Sequence, residues 1–250
     1  MRKLGMGWSA CLLLASTIGF AQGLDRVCEV NLTHPKPGAA KDFEEARKKH
    51  NEFHRTEKDK NSIVVWQVVT GPHTGSYVTT VCDLTWKQLD GHEDFDKRDG
   101  EDINRTLSPT IAQNTAGYYV LRPELSLAPN PQGPPPRMIS VVHYYVKPSG
   151  ITQFTDAIKR INEAIVKSKY PVKPSRWFSL ANGGEGPHYV LVGERQSWAD
   201  MQGPEQQMAD MLKQVYGNDD KSLQNLRDAV DHVVSEMNEY RADLSYLLSK

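Results

Sequence analysis

One helix-like segment occurs twice in this chain, and this duplication constrains the fold more than any other feature of the sequence. Residues 41–55 align with residues 152–166, which places Phe43 on Phe154 and Asn51 on Asn162. In both copies apolar residues recur every three or four positions, which is the spacing of an amphipathic helix. The sequence therefore predicts two related folding units.

The predicted elements around each copy follow the order βαββαβ. Alternating apolar and polar residues predict strands, glycine-bounded turns predict hairpins, and helical periodicity predicts the helices. In the first unit the predicted strands are 26–33, 63–70, 76–85 and 118–126, the helices are 38–57 and 103–115, and the acidic run 90–102 is a solvated loop. In the second unit the predicted strands are 138–146, 176–182, 188–196 and 241–245, and the helices are 151–167, 201–216 and 221–237.

Further repeats support two units and set their boundaries. Trp66 aligns with Trp177, Trp86 aligns with Trp198, and Arg122-Pro-Glu-Leu-Ser126 recurs as Arg241-Ala-Asp-Leu-Ser245. A proline-rich segment between the two units predicts a stiff connector. The predicted domains are a signal peptide at 1–21, a first unit at 22–127, a linker at 128–137 and a second unit at 138–250.

The chain resembles the dimeric α+β barrel superfamily of ferredoxin-like proteins over essentially its whole mature length. The resemblance rests on the element order, on the duplicated hairpin flanked by tryptophans and on the repeated Arg-x-acid-Leu-Ser strand. The resemblance implies an α+β fold in which two tandem βαββαβ ferredoxin-like units form a pseudo-dimeric α+β barrel, because each open sheet face needs cover. Proteins of this fold include quinol and polyketide monooxygenases, haem-degrading enzymes and chlorite-dismutase-like haem proteins. The resemblance also implies a ligand cavity between helices and sheet, with haem as a candidate for a cofactor that is otherwise unknown.

The N-terminal segment predicts export. A basic start and an apolar run too short to span a membrane indicate a secretory signal peptide cleaved after Ala21, and hence a periplasmic or extracellular protein without a membrane anchor. Of the three cysteines, Cys28 and Cys82 remain after cleavage. In an oxidising compartment they can pair, but two buried free thiols fit the sequence as well.

Charge bears on the partners of the chain. The 30 Lys and Arg residues nearly balance the 31 Asp and Glu residues. Since no basic cluster follows one helix face, the sequence does not predict binding to nucleic acid. It leaves the oligomeric state open, with a monomeric pseudo-dimer as the form that the duplication favours.

His50 and His54 are the candidate functional residues. They lie one helical turn apart, where the second unit has Ile161 and Ile165. The pair predicts a ligand site in the helix–sheet cavity of the first unit, with Trp66, packed beside the helix, as the third ligand-binding residue. The alternative is that both rings are exposed. No metal is assigned, because the sequence does not place His34, His73 or Glu57 beside the pair. Tyr118, Tyr119, Tyr144, Tyr145 and Tyr189 are candidates either for an aromatic pocket or for the core.

Three hypotheses for function follow. The first is an exported protein that binds a small apolar or aromatic ligand in the first unit. The second is a monooxygenase-like or haem-handling enzyme that uses His50 or His54, and the third is a structural or interaction protein whose cavity is filled by its own side chains. The sequence contains no phosphate loop, nucleophile elbow or Cys-x-x-Cys pair. It therefore names no catalytic residue and leaves open whether the chain is an enzyme.

Overall fold

The computed structural model describes residues 25–90, 93–128, 130 and 133–248. The predicted signal peptide at 1–21 lies outside the described residues, as do Pro129, Pro131 and Gln132 of the predicted linker. Within the described part, eight antiparallel strands form a closed barrel and five α-helices accompany them. None of the helices described is long and apolar enough to cross a membrane.

The strands and helices follow one another along the chain in two similar series. The strands are β1 (Val27–Pro35), β2 (Val64–Thr70), β3 (Tyr77–Leu84), β4 (Ile111–Leu121), β5 (Met138–Val146), β6 (Ser175–Asn182), β7 (His188–Arg195) and β8 (Val230–Tyr240). The helices are α1 (Ala40–Glu57), α2 (Glu93–Thr106), α3 (Ile151–Ser168), α4 (Met208–Tyr216) and α5 (Ser222–Ala229). The second series differs from the first by having two helices before its last strand.

The order of strands around the barrel is β1-β3-β2-β8-β5-β7-β6-β4. Strands of the same half are neighbours, and the two halves join at two seams. One seam pairs β2 with β8, with Trp66 opposite Tyr240, and the other pairs β4 with β6, with Val120 opposite Ser179. An unpaired sheet edge exposes backbone N–H and C=O groups. Pairing at the two seams gives hydrogen-bond partners to the edge strands that each half alone would leave unpaired.

A short turn after the last strand of each half docks onto the other half. The Ser126 hydroxyl accepts a hydrogen bond from the Trp177 backbone N–H at 2.9 Å, and the Ser245 hydroxyl accepts one from the Val65 N–H at the same distance. The helix asparagines repeat this exchange: Asn51 donates to the carbonyl of Leu244 at 2.8 Å, and Asn162 donates to that of Leu125 at 2.7 Å. The residues that recur in the sequence thus make reciprocal contacts between the halves.

Replacing Ser245 by alanine is expected to lower the free energy of unfolding by about 1–3 kcal/mol, because the fully buried Val65 would keep a backbone N–H without an acceptor. Urea unfolding followed by circular dichroism measures this change. The matched control is Ser235→Ala in β8, an exposed position that is expected to alter stability by less than about 0.5 kcal/mol. Equal effects of the two substitutions would contradict the assigned role of the Ser245 hydroxyl.

Four element predictions are wrong. The predicted strand at 241–245 is a 3-10 turn that follows β8, which ends at Tyr240. The acidic run is largely helix α2 rather than a loop, because Glu93, Asp94 and Asp96 fall in its first turn, where the helix dipole favours negative charge. The predicted helix at 103–115 ends at Thr106, and β4 begins at Ile111. The predicted helix at 221–237 gives way at Val230 to β8, whose pairing with both β2 and β5 outweighs local helical preference.

The two repeated tryptophans are not structural equivalents. Trp177 packs with Phe154 on the outer, helix-facing side of the sheet, and its counterpart in the first half is Val65, which packs with Phe43. Trp66 follows one residue later and faces the barrel interior. A one-residue shift in a strand moves a side chain to the opposite face. The prediction that Trp66 packs beside the first helix is therefore wrong.

Candidate functional site

A cavity of about 580 Å³ occupies the interior of the barrel. All eight strands contribute side chains to it, because alternate residues of each strand point inward. Its middle is apolar and aromatic, and the residues there include Val30, Trp66, Val78, Val141, Phe178 and Val190. A volume of this size lies within the range of about 300–1,000 Å³ that is typical of small-molecule sites.

One end of the cavity carries a chain of uncharged polar groups. The Nδ1 atom of His143 lies 3.0 Å from Nε2 of His188, and the Tyr119 hydroxyl lies 3.5 Å from Nδ1 of the same His188 ring. Tyr145 stacks on His188 with ring centroids 4.5 Å apart. The arrangement presents hydrogen-bonding groups at one end of a space whose middle is apolar.

Burial keeps the imidazoles of His143 and His188 neutral at ordinary pH. It lowers the pKa of His143 to about 4, and the nearby His73 adds to the effect. Burial also lowers the pKa of His188 to about 4, and the proximity of His143 and His232 contributes. A neutral imidazole both donates and accepts a hydrogen bond, so this end of the cavity can bind a hydroxyl or a carbonyl group.

The opposite end of the cavity is charged and crosslinked. Arg176 pairs with Glu194 across β6 and β7 at 3.3 Å. Cys28 and Cys82 form a disulfide that joins β1 to β3, with their Cα atoms 4.0 Å apart. Both cysteines line the cavity wall.

The cavity lies inside the barrel rather than between the helix and sheet of the first half, where the sequence analysis placed it. The space under α1 is occupied by a packed cluster of Phe43, Val65, Tyr77, Leu107 and Leu244. Each of these side chains is 5% exposed or less. Large side chains on the outer face of the sheet therefore leave the free volume on its inner face.

The predicted aromatic candidates divide between the two faces of the sheet. Trp66, Tyr119 and Tyr145 line the cavity. Tyr144 and Tyr189 belong to the outer core beneath α3. Alternation along each strand accounts for the division, since Tyr144 and Tyr145 are consecutive residues of β5 and must point to opposite faces.

His50 and His54 are buried between α1 and α2, outside the barrel. They are 1% and 4% exposed, which excludes the alternative of exposed rings. Nδ1 of His50 lies 2.7 Å from an Asp102 carboxylate oxygen, and Nδ1 of His54 lies 2.9 Å from an Asp59 carboxylate oxygen. Because an ionised carboxylate can only accept, each ring donates its Nδ1–H.

The Nε2 atoms of the two rings face each other at 3.1 Å. Oδ1 of Asp99 lies 3.4 Å from Nε2 of His50 and 3.6 Å from Nε2 of His54, and it is buried without a hydrogen-bond partner. Burial lowers the pKa of His50 to about 4 and raises the pKa of Asp99, against the attraction of His54 and Arg47. Two imidazole nitrogens and one carboxylate oxygen thus converge on one point, an arrangement that can hold a metal ion.

The same place in the second half is apolar. Ile161 and Ile165 of α3 pack against Met211 and Leu212 of α4, and the exposed fraction of each is 6% or less. The fold can therefore close this contact between two helices with hydrophobic packing. The first half uses charged and imidazole groups at the equivalent contact.

The sequence pattern does not single out Asp99, because the acidic run that contains it predicts a loop rather than helix α2. The other groups considered as ligands lie elsewhere: His34 is bonded to Ser76, His73 to Glu236 and Glu57 to Arg98. Helical spacing in the acidic run is the signal that could have identified Asp99 as the third converging group. Asp99 and Asp102 lie three residues apart and so share one face of a helix.

Comparisons with known proteins identify similarities in fold but none in sequence. No protein-family model and no curated protein matches the sequence. Solved structures do match. A provisionally assigned monooxygenase from Lactobacillus acidophilus aligns with a TM-score of 0.53 and 8% identity, over 89% of this chain and 96% of its own. An anthrone oxidase-like protein aligns with a TM-score of 0.53 and 13% identity, over 86% of this chain and 91% of its own.

A mutant chlorite dismutase from Candidatus Nitrospira defluvii in complex with cyanide aligns with a TM-score of 0.54 and 10% identity, over 87% of this chain and 92% of its own. Identities this low speak to fold and not to activity. The alignments nevertheless cover most of this chain and nearly all of each structure. Together with the closed eight-stranded antiparallel barrel, they show that this chain has the dimeric α+β barrel fold.

Proposed function

We propose that this protein binds a small, mainly apolar aromatic molecule with a hydroxyl or carbonyl group inside the barrel. The observation that carries the proposal is the 580 Å³ cavity, whose apolar middle lies between the neutral imidazoles of His143 and His188 and the Arg176–Glu194 pair. Burying apolar ligand surface supplies affinity at roughly 25 cal/mol per Å², and a few polar groups fix orientation. The barrel thus replaces the helix–sheet space as the proposed ligand site.

The polar end favours a neutral ligand over an anion. His143 and His188 are uncharged near neutral pH, so they offer hydrogen bonds and no compensating positive charge. Placing an unpaired charge beside them would cost far more than placing a hydroxyl there. A phenol, naphthol or aromatic ketone has the chemistry that this end can accept.

Haem, which the resemblance implies, does not fit the His50–His54 pair. The two Nε2 atoms are 3.1 Å apart and point at each other, so neither lone pair is directed toward an open face. In the barrel, Nδ1 of His143 and Nε2 of His188 are bonded to each other, and Nδ1 of His188 lies 3.5 Å from the Tyr119 hydroxyl, which leaves Nε2 of His143 as the remaining imidazole nitrogen. We derive no chemistry through haem, and added haem serves below as a comparison ligand.

Oxygenase activity on the bound aromatic is the second candidate. Structures similar to this chain include a provisionally assigned monooxygenase and an anthrone oxidase-like protein, which supports testing it. An imidazole with a pKa of about 4 is a weak general base at neutral pH, since catalysis is best served by a pKa near the working pH. Binding is therefore the primary proposal, and turnover of anthrone under air is the assay for the second.

Titration with 2-naphthol tests the binding proposal. Trp66 lines the cavity, so binding is expected to change its fluorescence, and calorimetry gives the affinity. Val78→Trp, which fills the cavity, is expected to weaken binding at least tenfold. The matched control is Val233→Trp, which makes the same change at a position 49% exposed and outside the cavity lining.

The outcomes separate the candidates. Loss of binding in Val78→Trp with binding retained in Val233→Trp supports the barrel site. Trp66→Phe should keep the calorimetric affinity while losing the fluorescence change. Equal affinity in both valine variants would refute the barrel site, and tight binding of haem with a visible absorption band would redirect the proposal to that ligand.

We also propose that the two halves are tandem ferredoxin-like units related by an approximate two-fold axis, forming a pseudo-dimer within one chain. The reciprocal contacts of Ser126 and Ser245 with the opposite half support this arrangement. Analytical ultracentrifugation of the mature protein at micromolar concentration should give a monomer. Superposition of residues 24–127 on 138–248 in a crystal structure tests the symmetry itself.

Export is the remaining proposal. The Cys28–Cys82 disulfide supports it, because such bonds persist in oxidising compartments. Expression of the full chain in a bacterial host, fractionation and mass spectrometry of the intact protein should find a chain that begins at Gln22 outside the cytoplasm. An uncleaved chain in the cytoplasmic fraction would contradict export.

A further inference from the structure

We propose that His50, His54 and Asp99 form a binding site for one divalent first-row metal ion, Zn²⁺ by chemistry, that ties α1 to α2. The site is separate from the barrel cavity and needs no ligand there. Two neutral imidazole nitrogens and one carboxylate oxygen are ligands that zinc takes in proteins, and a water molecule commonly completes the set.

The orientation of the rings is the first argument. Each Nδ1–H is committed to a carboxylate, Asp102 for His50 and Asp59 for His54. A neutral ring with its proton on Nδ1 has a lone pair on Nε2. In the neutral form of both rings two lone pairs face each other at 3.1 Å, and the third converging group, Oδ1 of Asp99, is also an acceptor when ionised. Three acceptors without a donor repel one another unless a cation lies between them.

The distances among the three atoms fit a metal. Zinc bonds of about 2.0–2.2 Å in a tetrahedral arrangement place neighbouring ligand atoms about 3.3–3.6 Å apart. The observed separations are 3.1, 3.4 and 3.6 Å. One ion can thus contact all three atoms with displacements of a few tenths of an ångström.

The carboxylates behind the rings are the second argument. Histidines that bind metals usually donate their other N–H to a carboxylate or carbonyl, which fixes the tautomer and raises ligand basicity. Asp59 and Asp102 supply that support to both rings here. Hydrogen bonds of this kind orient the Nε2 atoms before any ion arrives.

The second half of the molecule supplies the third argument. At the equivalent contact Ile161 and Ile165 pack against Met211 and Leu212, so the helix pair does not need polar groups for stability. Burying an acceptor without a partner costs about 1–3 kcal/mol, and Oδ1 of Asp99 is such an atom. A bound cation would satisfy Asp99 and both Nε2 atoms at once.

Charge around the site also favours a cation. The carboxylates of Asp59, Asp99 and Asp102 lie within the cluster, and the buried guanidinium of Arg47 opposes them. Arg105 pairs with Asp102 from the exposed side. The three carboxylates and the two guanidinium groups together carry one net negative charge.

Calorimetric titration of metal-free protein with ZnCl₂, together with absorption spectra after addition of CoCl₂, tests the site. The wild type is expected to bind one Zn²⁺ per chain and to give the visible bands of tetrahedral Co²⁺. His50→Ile/His54→Ile, which copies the second half, is expected to weaken zinc binding at least 100-fold and abolish the bands. Asp102→Asn keeps all three ligands and is expected to weaken binding 10–100-fold.

His232→Gln is the control, since this exposed histidine lies outside the cluster and its loss should leave the affinity unchanged. Circular dichroism establishes that each variant is folded. Asp99→Asn decides the question by the same criteria if the double variant does not fold. A folded wild type with neither heat nor Co²⁺ bands, as expected if a shared proton bridges the rings, overturns the proposal, and so does unchanged affinity in the double variant.

Discussion

Replacing Cys28 and Cys82 together by alanine is expected to lower the free energy of unfolding by about 4 kcal/mol. The disulfide closes a segment with a sequence separation of 54, and chain-entropy estimates for a closed loop of that length give this magnitude. Chemical unfolding of the wild type and the double variant, both without reductant, measures the difference. It is a large fraction of the roughly 5–15 kcal/mol that stabilises a typical protein.

The effect should arise in the unfolded chain. Because β1 and β3 are adjacent and hydrogen-bonded without the crosslink, the barrel is expected to keep its circular dichroism spectrum in the double variant. Affinity for 2-naphthol should change little, although both cysteines line the cavity. A variant as stable as the wild type would show that the crosslink does not restrict the unfolded ensemble as assumed.

Lowering the pH from 6.5 to about 4 is expected to destabilise the barrel through His143 and His188. Both imidazoles have a pKa of about 4 in the folded chain, below the ordinary value of 6.5. In this window the unfolded chain binds more protons, so stability rises with pH, is fully present above 6.5 and is lost as the pH falls to about 4. One unit of pKa shift corresponds to about 1.4 kcal/mol, so the loss is on the order of 3 kcal/mol for each ring and about twice that for the pair.

The pH effect is assigned by comparing unfolding curves of the wild type and His188→Gln across this window. The variant should lose stability less steeply toward acid, because one of the groups that takes up a proton on unfolding is absent. NMR titration of the His143 ring should show that it stays neutral to about pH 4. A ring that protonates near pH 6.5 would contradict burial as the cause.

The duplication, the first helix of each half and the strands on either side of it could all be predicted from the sequence. Helix α1 and helix α3 begin and end at equivalent residues, and each is closed by a lysine in the left-handed conformation, Lys58 and Lys169. Local periodicity is sufficient for such elements, because one face of a long amphipathic helix repeats the same signal over several turns. The Arg-x-acid-Leu-Ser repeat could also be recognised in the sequence. That each copy forms a turn in contact with the opposite half could not be predicted.

Errors arose where a short or strongly charged segment takes its structure from distant contacts. The acidic α2 has little apolar periodicity, yet it packs on α1 through Asp99 and Asp102. The sequence of strand β8 by itself predicts a helix, but the segment pairs with two other strands, β2 and β5. Trp66 lies one residue after the position that corresponds to Trp177. Because side chains along a strand alternate between its two faces, this shift places Trp66 on the opposite face of the sheet.

The sequence by itself determined that the chain is an α+β protein with repeated segments and that His50 and His54 align with Ile161 and Ile165, because repetition and residue type are local properties. Tertiary structure decided where the free volume lies, which groups face it and which carboxylates meet the histidine pair. Those outcomes depend on strand register and on helix packing between residues such as His50 and Asp102, which lie far apart in sequence. Burial then set the protonation of the imidazoles, since desolvation acts only on side chains that the fold has brought together.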